Sequence, residues 1–163
     1  MACNHLEQLI SEWYDWKGYI VRRNVKVGKR TKGGYEGELD VVAFHPAKNH
    51  LVHVEPSTDT QSWSKREVKF KRKFEAGEKY IPKLFDGFTL PPEIEQYAVL
   101  VQGSKANHQT VGGKKFILVG ELLQNILKDV RKHGFLSSAV SEQWPILRTL
   151  QLVLHCRKSI DEP

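Results

Sequence analysis

Apolar side chains recur at helical spacing near the start of the chain, where Leu6, Leu9, Ile10 and Trp13 share one face and Asn4 with Glu7 has the form of an N-terminal capping box. This pattern predicts a helix over residues 4–16, ended by Gly18. The period then changes. Residues 19–27 are rich in β-branched and aromatic side chains, GKRTKGG supplies a basic turn, residues 38–44 form a second run, and after HPAKNH residues 51–55 form a third. Three short runs joined by turns predict an antiparallel meander. Thr58 and Gln61 suit a helix start, and Trp63, Phe70, Phe74 and Ile81 follow at spacings of seven, four and seven, marking one face of a long helix that Pro82 limits. Strands are expected at 97–102 and 116–119, on either side of the turn-rich GSKANHQTVGGKK. A helix at 121–133 closed by Gly134 and a last helix at 144–156 complete the pattern.

This order contains no repeat, linker or low-complexity tract, and 163 residues suffice for one core. It predicts a single α/β domain over 1–163, with a mixed sheet of about five strands flanked by helices. The apolar stretches are too short to cross a bilayer, and the opening MACNHLEQLISEW carries acidic residues in place of a basic leader. A soluble, cytoplasmic protein is expected. Cys3 and Cys156 are isolated, without the spacing of a zinc, redox or disulfide framework. No phosphate loop, dinucleotide fingerprint, nucleophile elbow or HExxH segment occurs.

The segment GELDVVAFHPAKNHLVHVEPS holds two apolar strands, each with one carboxylate among Val, Leu and Ala. If the turn sets Phe44 against Leu51, residue numbers across the ladder sum to a constant and Asp40 falls opposite Glu55. Their Cβ atoms would then stand about 5 Å apart, where like charges repel unless one carboxyl keeps its proton or a cation lies between them. Mg²⁺, held by one or two carboxylates with water and phosphate oxygens completing its shell, suits such a pair. Glu38 shares a face with Asp40 and could join the shell, and His53 shares one with Glu55. The alternative is that these acids cap strand ends or pair with lysine and arginine.

These residues resemble the PD-(D/E)XK family of restriction-endonuclease-like nucleases, which carries an Asp on its second strand and a (D/E)xK tripeptide on its third. The likeness runs over roughly residues 4–120, with Asp40 in GELDVVAF and Glu55 in LVHVEPS at the matching positions. It implies a restriction-endonuclease-like core and Mg²⁺- or Mn²⁺-dependent cleavage of DNA, in restriction or repair. It also implies an additional Glu on the first helix, for which Glu7 and Glu12 are candidates. The third motif position is Ser57 in place of lysine, and Pro56 precedes it. Family members can move a functional residue onto the following helix, where Gln61, Lys65, Lys69 and Lys73 recur every four residues; Lys65 or Lys69 is expected to supply the missing charge.

Net charge is +6, and the cations cluster. Lys65, Arg66, Lys69, Lys71, Arg72 and Lys73 surround the single anion Glu67, a helix that could lie along phosphates. The glycine-rich turns add Lys29, Arg30 and Lys32, and Lys114 and Lys115. DNA is therefore the expected partner, and a dimer the expected assembly; a nuclease-like module that binds DNA or protein without cutting is the alternative.

Overall fold

The computed structural model describes residues 4–161. The first helix, α1 (His5–Trp16), starts where Asn4 accepts the Leu6 N–H on its side chain. Next come β1 (Ile20–Lys29), β2 (Tyr35–His45), a short 3₁₀ turn, and β3 (His50–Ser57). The long helix α2 (Trp63–Tyr80) leads to β4 (Glu95–Leu100), β5 (Thr110–Val111) and β6 (Lys114–Leu118), and α3 (Val119–Val130), α4 (Pro145–His155) and α5 (Arg157–Asp161) close the chain.

The strands form one open mixed sheet in the order β1-β2-β3-β4-β6-β5. The expected meander is present, and the helix between β3 and its parallel neighbour β4 is α2. Six strands replace the expected five because two residues of the turn-rich segment pair with β6 as β5. Helices α1, α3 and α4 cover one face, where Ile10, Trp13, Leu122, Ile126 and Leu147 pack on Val41, Ala43, Val52, Val54 and Val99. Helix α2 covers the other with Phe70 and Phe74. Among the described residues no helix is long and apolar enough to cross a membrane. Cys156 is free, and Cys3 lies outside the described residues.

Phe44 pairs with Leu51, as the turn implied, and the β2–β3 ladder runs to Val41 opposite Val54. There the two strands part. On the other flank of β2, Asn24 lies opposite Asp40 between the paired steps Arg23–Val41 and Val25–Leu39, with a left-handed backbone at φ 50°. Leu39 and Val42 both join the cluster beneath α2, so the strict alternation of β2 slips at this point. Past the fork β3 pairs with β4 alone. Ser57 offers its carbonyl to Val101 N of the β4 side, so alternation turns the polar atoms of Pro56 the other way, toward the side β2 has left. The proline sits in a central strand without costing a ladder bond.

Candidate active site

Asp40 and Glu55 meet at this fork. The Asp40 backbone N–H, released from the ladder, donates to Glu55 Oε1 at 3.2 Å. Lys73, arriving from α2, donates from Nζ to Asp40 Oδ2 at 2.7 Å and also to Glu55 Oε2. One cation position is thus shared by both carboxylates. Glu55 has no exposed surface, the Asp40 side chain keeps 11% and that of Lys73 20%.

A polar tier beneath Glu55 holds it in place. His53 Nε2 lies 2.7 Å from Glu55 Oε1, and Gln96 Nε2 lies 3.0 Å from His53 Nδ1 and 2.9 Å from the Phe74 carbonyl. An amide that gives one hydrogen to Phe74 O gives the other to Nδ1, which leaves the His53 proton on Nε2, donated to Glu55. Turning the amide over would set its oxygen against the Phe74 carbonyl, and Gln96 Oε1 is buried without a partner as it stands. Gly77 of α2 makes room: a Cβ there would fall 2.4 Å from His53 Nδ1 and 2.7 Å from Gln96 Nε2.

The site is electrostatically unbalanced. Burial and the neighbouring Glu55 charge push the Asp40 carboxyl up to about 8, against the pull of Lys73. Burial would raise Glu55 as well, but the hydrogen bond from His53 and the Lys73 ammonium hold it down, to about 2. Burial disfavours the Lys73 ammonium, and the two carboxylates more than offset this and raise it. One ammonium is too little for two buried carboxylates, so one of them keeps its proton near neutrality.

Ser57, where the motif lysine would stand, belongs to a second cluster. Its Oγ donates to Asp59 Oδ2 at 2.7 Å, and Lys69 Nζ reaches that same oxygen at 2.7 Å and Ser57 Oγ at 3.4 Å. Arg66 bonds the Asp59 carbonyl at 2.7 Å and the Gln102 carbonyl at 2.8 Å. Burial works against the Asp59 charge, but Lys69 and Ser57 hold its carboxyl well below the usual range.

Of the two lysines expected to serve the site, Lys69 comes to Ser57, whereas Lys65 is exposed on the outer face of α2. The one that reaches the acidic pair is Lys73. Arg66 is 5% exposed and bound to the protein, so it is unavailable to a nucleic acid, contrary to expectation. Lys65, Lys69 and Arg72 line a shallow basin of about 590 Å³ with Gln61, Ser64 and Val68. Lys29, Arg30 and Lys32 are exposed around the β1–β2 hairpin tip, while Lys114 and Lys115 pair with Glu78 and Glu95. Glu12 accepts the Ile146 and Leu147 N–H groups at the start of α4, a structural task. Glu7 lies close enough to the site to feel Lys73, Glu55 and Glu38. Glu38 is half-buried and, among the described residues, makes no hydrogen bond to Asp40, Glu55 or Lys73.

Asp59, Gln96 and Gly77 belong to no motif in the sequence. Gln96 left a signal, a polar residue near the start of an apolar strand; Asp59 reads as an ordinary helix-start residue. Among the described residues no group of three or more His, Cys, Asp and Glu side chains could hold a metal ion, so an ion here would rest on two carboxylates. That is a sparse shell of the kind Mg²⁺ accepts, completed by water and phosphate oxygens. Compared with protein-family models, curated proteins and solved structures, the chain finds no match.

Proposed function

We propose that this chain is a metal-dependent DNA nuclease of the PD-(D/E)XK type, with a restriction-endonuclease-like core and with Asp40 and Glu55 as the ligands of Mg²⁺ or Mn²⁺. The observation that carries the reading is the convergence of two carboxylates, one fully buried, on a single cation position at the β2–β3 fork. His53 and the Asp40 N–H orient Glu55. Lys73 and Lys69 bring positive charge to the edge of the site, where it offsets charge developing on a phosphate. Lys65 and Arg72 on the outer face of α2, with Lys29, Arg30 and Lys32 at the hairpin tip, supply backbone contacts to DNA. The ion, when bound, polarises a phosphoryl oxygen and acidifies water.

One observation favours the second reading, a nuclease-like module that binds without cutting: both oxygens of Glu55 already have protein partners. Supercoiled plasmid incubated with Mg²⁺ or Mn²⁺ separates the two. The first reading expects nicking by the wild type and none by Asp40→Ala, with calorimetric Mn²⁺ binding lost in folded Asp40→Ala and Glu55→Ala. Mn²⁺ binding without cleavage leaves the second reading, and equal Mn²⁺ binding by all three proteins removes the site assignment.

A further inference from the structure

Lys73 differs from the other cations of α2 in standing where an ion would stand. Its ammonium is bonded to Asp40 Oδ2 at 2.7 Å and to Glu55 Oε2, the two oxygens that face each other across the fork. A divalent ion on those oxygens would bring three positive charges against two carboxylates, in a pocket where Glu55 has no exposed surface. With little water to screen them, like charges that close repel strongly. Space forbids the pair as well: an oxygen about 2.1 Å from Mg²⁺ cannot keep an ammonium at hydrogen-bond distance along the same direction.

The lysine has a way out, since its stem is flexible and its side chain keeps 20% exposure. Glu7 on α1 lies within electrostatic reach of its present position, and outside the fork, on the reading above, a substrate phosphate would take its charge. Lys69, by contrast, is tied to Asp59, which shares no oxygen with the ion position.

We propose that Lys73 is an exchangeable occupant of the metal position: it holds Asp40 and Glu55 together until a divalent ion enters, then swings outward and presents its ammonium to the phosphate. This rests on the metal-dependent reading. Metal loading and the arming of the catalytic lysine become one event, so the charge meant for the phosphate is released only when the ion is in place.

Two measurements with Mn²⁺ as the probe test it. In the first, wild-type protein is reductively methylated with formaldehyde and a borohydride reagent, and each lysine is followed by mass spectrometry. Lys73 should react slowly without the ion and several-fold faster with saturating Mn²⁺, with Lys69 unchanged as the internal control. In the second, Lys73→Met should bind Mn²⁺ about tenfold more tightly than the wild type by calorimetry, because a competing charge has gone. The methylation arm decides alone if that variant does not fold. Lys73 remaining slow in Mn²⁺-saturated wild type, or a folded Lys73→Met binding Mn²⁺ no tighter, overturns the exchange while leaving the metal site standing. Absence of any Mn²⁺ binding to the wild type overturns the metal reading and the exchange together.

Discussion

Two acid–lysine clusters lie one turn apart along α2 and are unbalanced in opposite directions. At the fork, two carboxylates share the ammonium of Lys73. After the fork, the single carboxylate of Asp59 meets both Lys69 and Arg66. The two lysines come from the same four-residue stripe, so the difference lies in what faces them: strand interiors in one case, an exposed loop in the other. Glu55 is fully buried, whereas the Asp59 side chain keeps 24% exposure. Charge balance, and not the number of charged groups, decides which cluster has affinity left for a cation. The fork is short of positive charge. The Asp59 cluster has a surplus and acts as a brace that holds Lys69 beside Ser57.

The sharpest way to break this comparison is to remove each lysine in turn. Without added metal, Lys73→Met leaves buried Glu55 with no ammonium beside it and Asp40 more firmly protonated, and should cost about 3–5 kcal/mol in urea unfolding. Lys69→Met, at a partly exposed pair, should cost about 1 kcal/mol or less. Equal losses would erase the distinction. Adding Asp40→Asn to Lys73→Met should recover much of the stability, as should saturating Mn²⁺.

Next in size is Gly77→Ala. Alanine favours helix by about 1 kcal/mol, yet the new methyl runs into His53 and Gln96, so a net loss of about 1–3 kcal/mol is expected. A gain in stability would mean that the tier beneath Glu55 is loosely held.

The two clusters should also answer pH with opposite sign. Asp40 is raised from 3.8 to about 8, so between those values the folded protein keeps a proton that the unfolded chain has released, and stability falls as pH rises. Asp59 is lowered, so its contribution is present above its ordinary range and lost as pH falls into acid; Glu55, also lowered, adds to that limb. Denaturation midpoints followed across pH should flatten on the alkaline side for Asp40→Asn and weaken on the acid side for Asp59→Asn. The smallest effect on folding is expected outside both clusters: Lys65→Ala with Arg72→Ala should leave stability unchanged. It should reduce the slope of log K for DNA against log salt by about two. An unchanged slope would take the outer face of α2 out of the DNA-binding reading.

The register could be read in advance, because LDVVAF and LVHVE alternate about a turn that aligns Phe44 with Leu51 and carries Asp40 toward Glu55; that the ladder stops at Val41 and Val54, one pair short of the acids, has no such signal. Periodicity also gives the stripe Lys65, Lys69, Lys73. Which member reaches the acids depends on where α2 crosses the sheet, a tertiary fact that no local pattern encodes, so spacing alone does not separate Lys73 from Lys65 and Lys69. Arg66 looked like one more surface cation because its acceptors, the carbonyls of Asp59 and Gln102, come from the backbone and have no sequence signature. Strand β5 and helix α5 are too short for any period to register.

Pro56 has a consequence for association. Where β2 leaves β3, the backbone of β3 has no strand beside it on that side, although Glu55, Pro56 and Ser57 are buried, and an unpaired edge is a template for a strand from another chain. A foreign strand entering the fork would zip along β3 and shut the acidic pair away. Pro56 turns toward that gap a nitrogen with no hydrogen to give, so the fork offers an incoming strand one rung fewer.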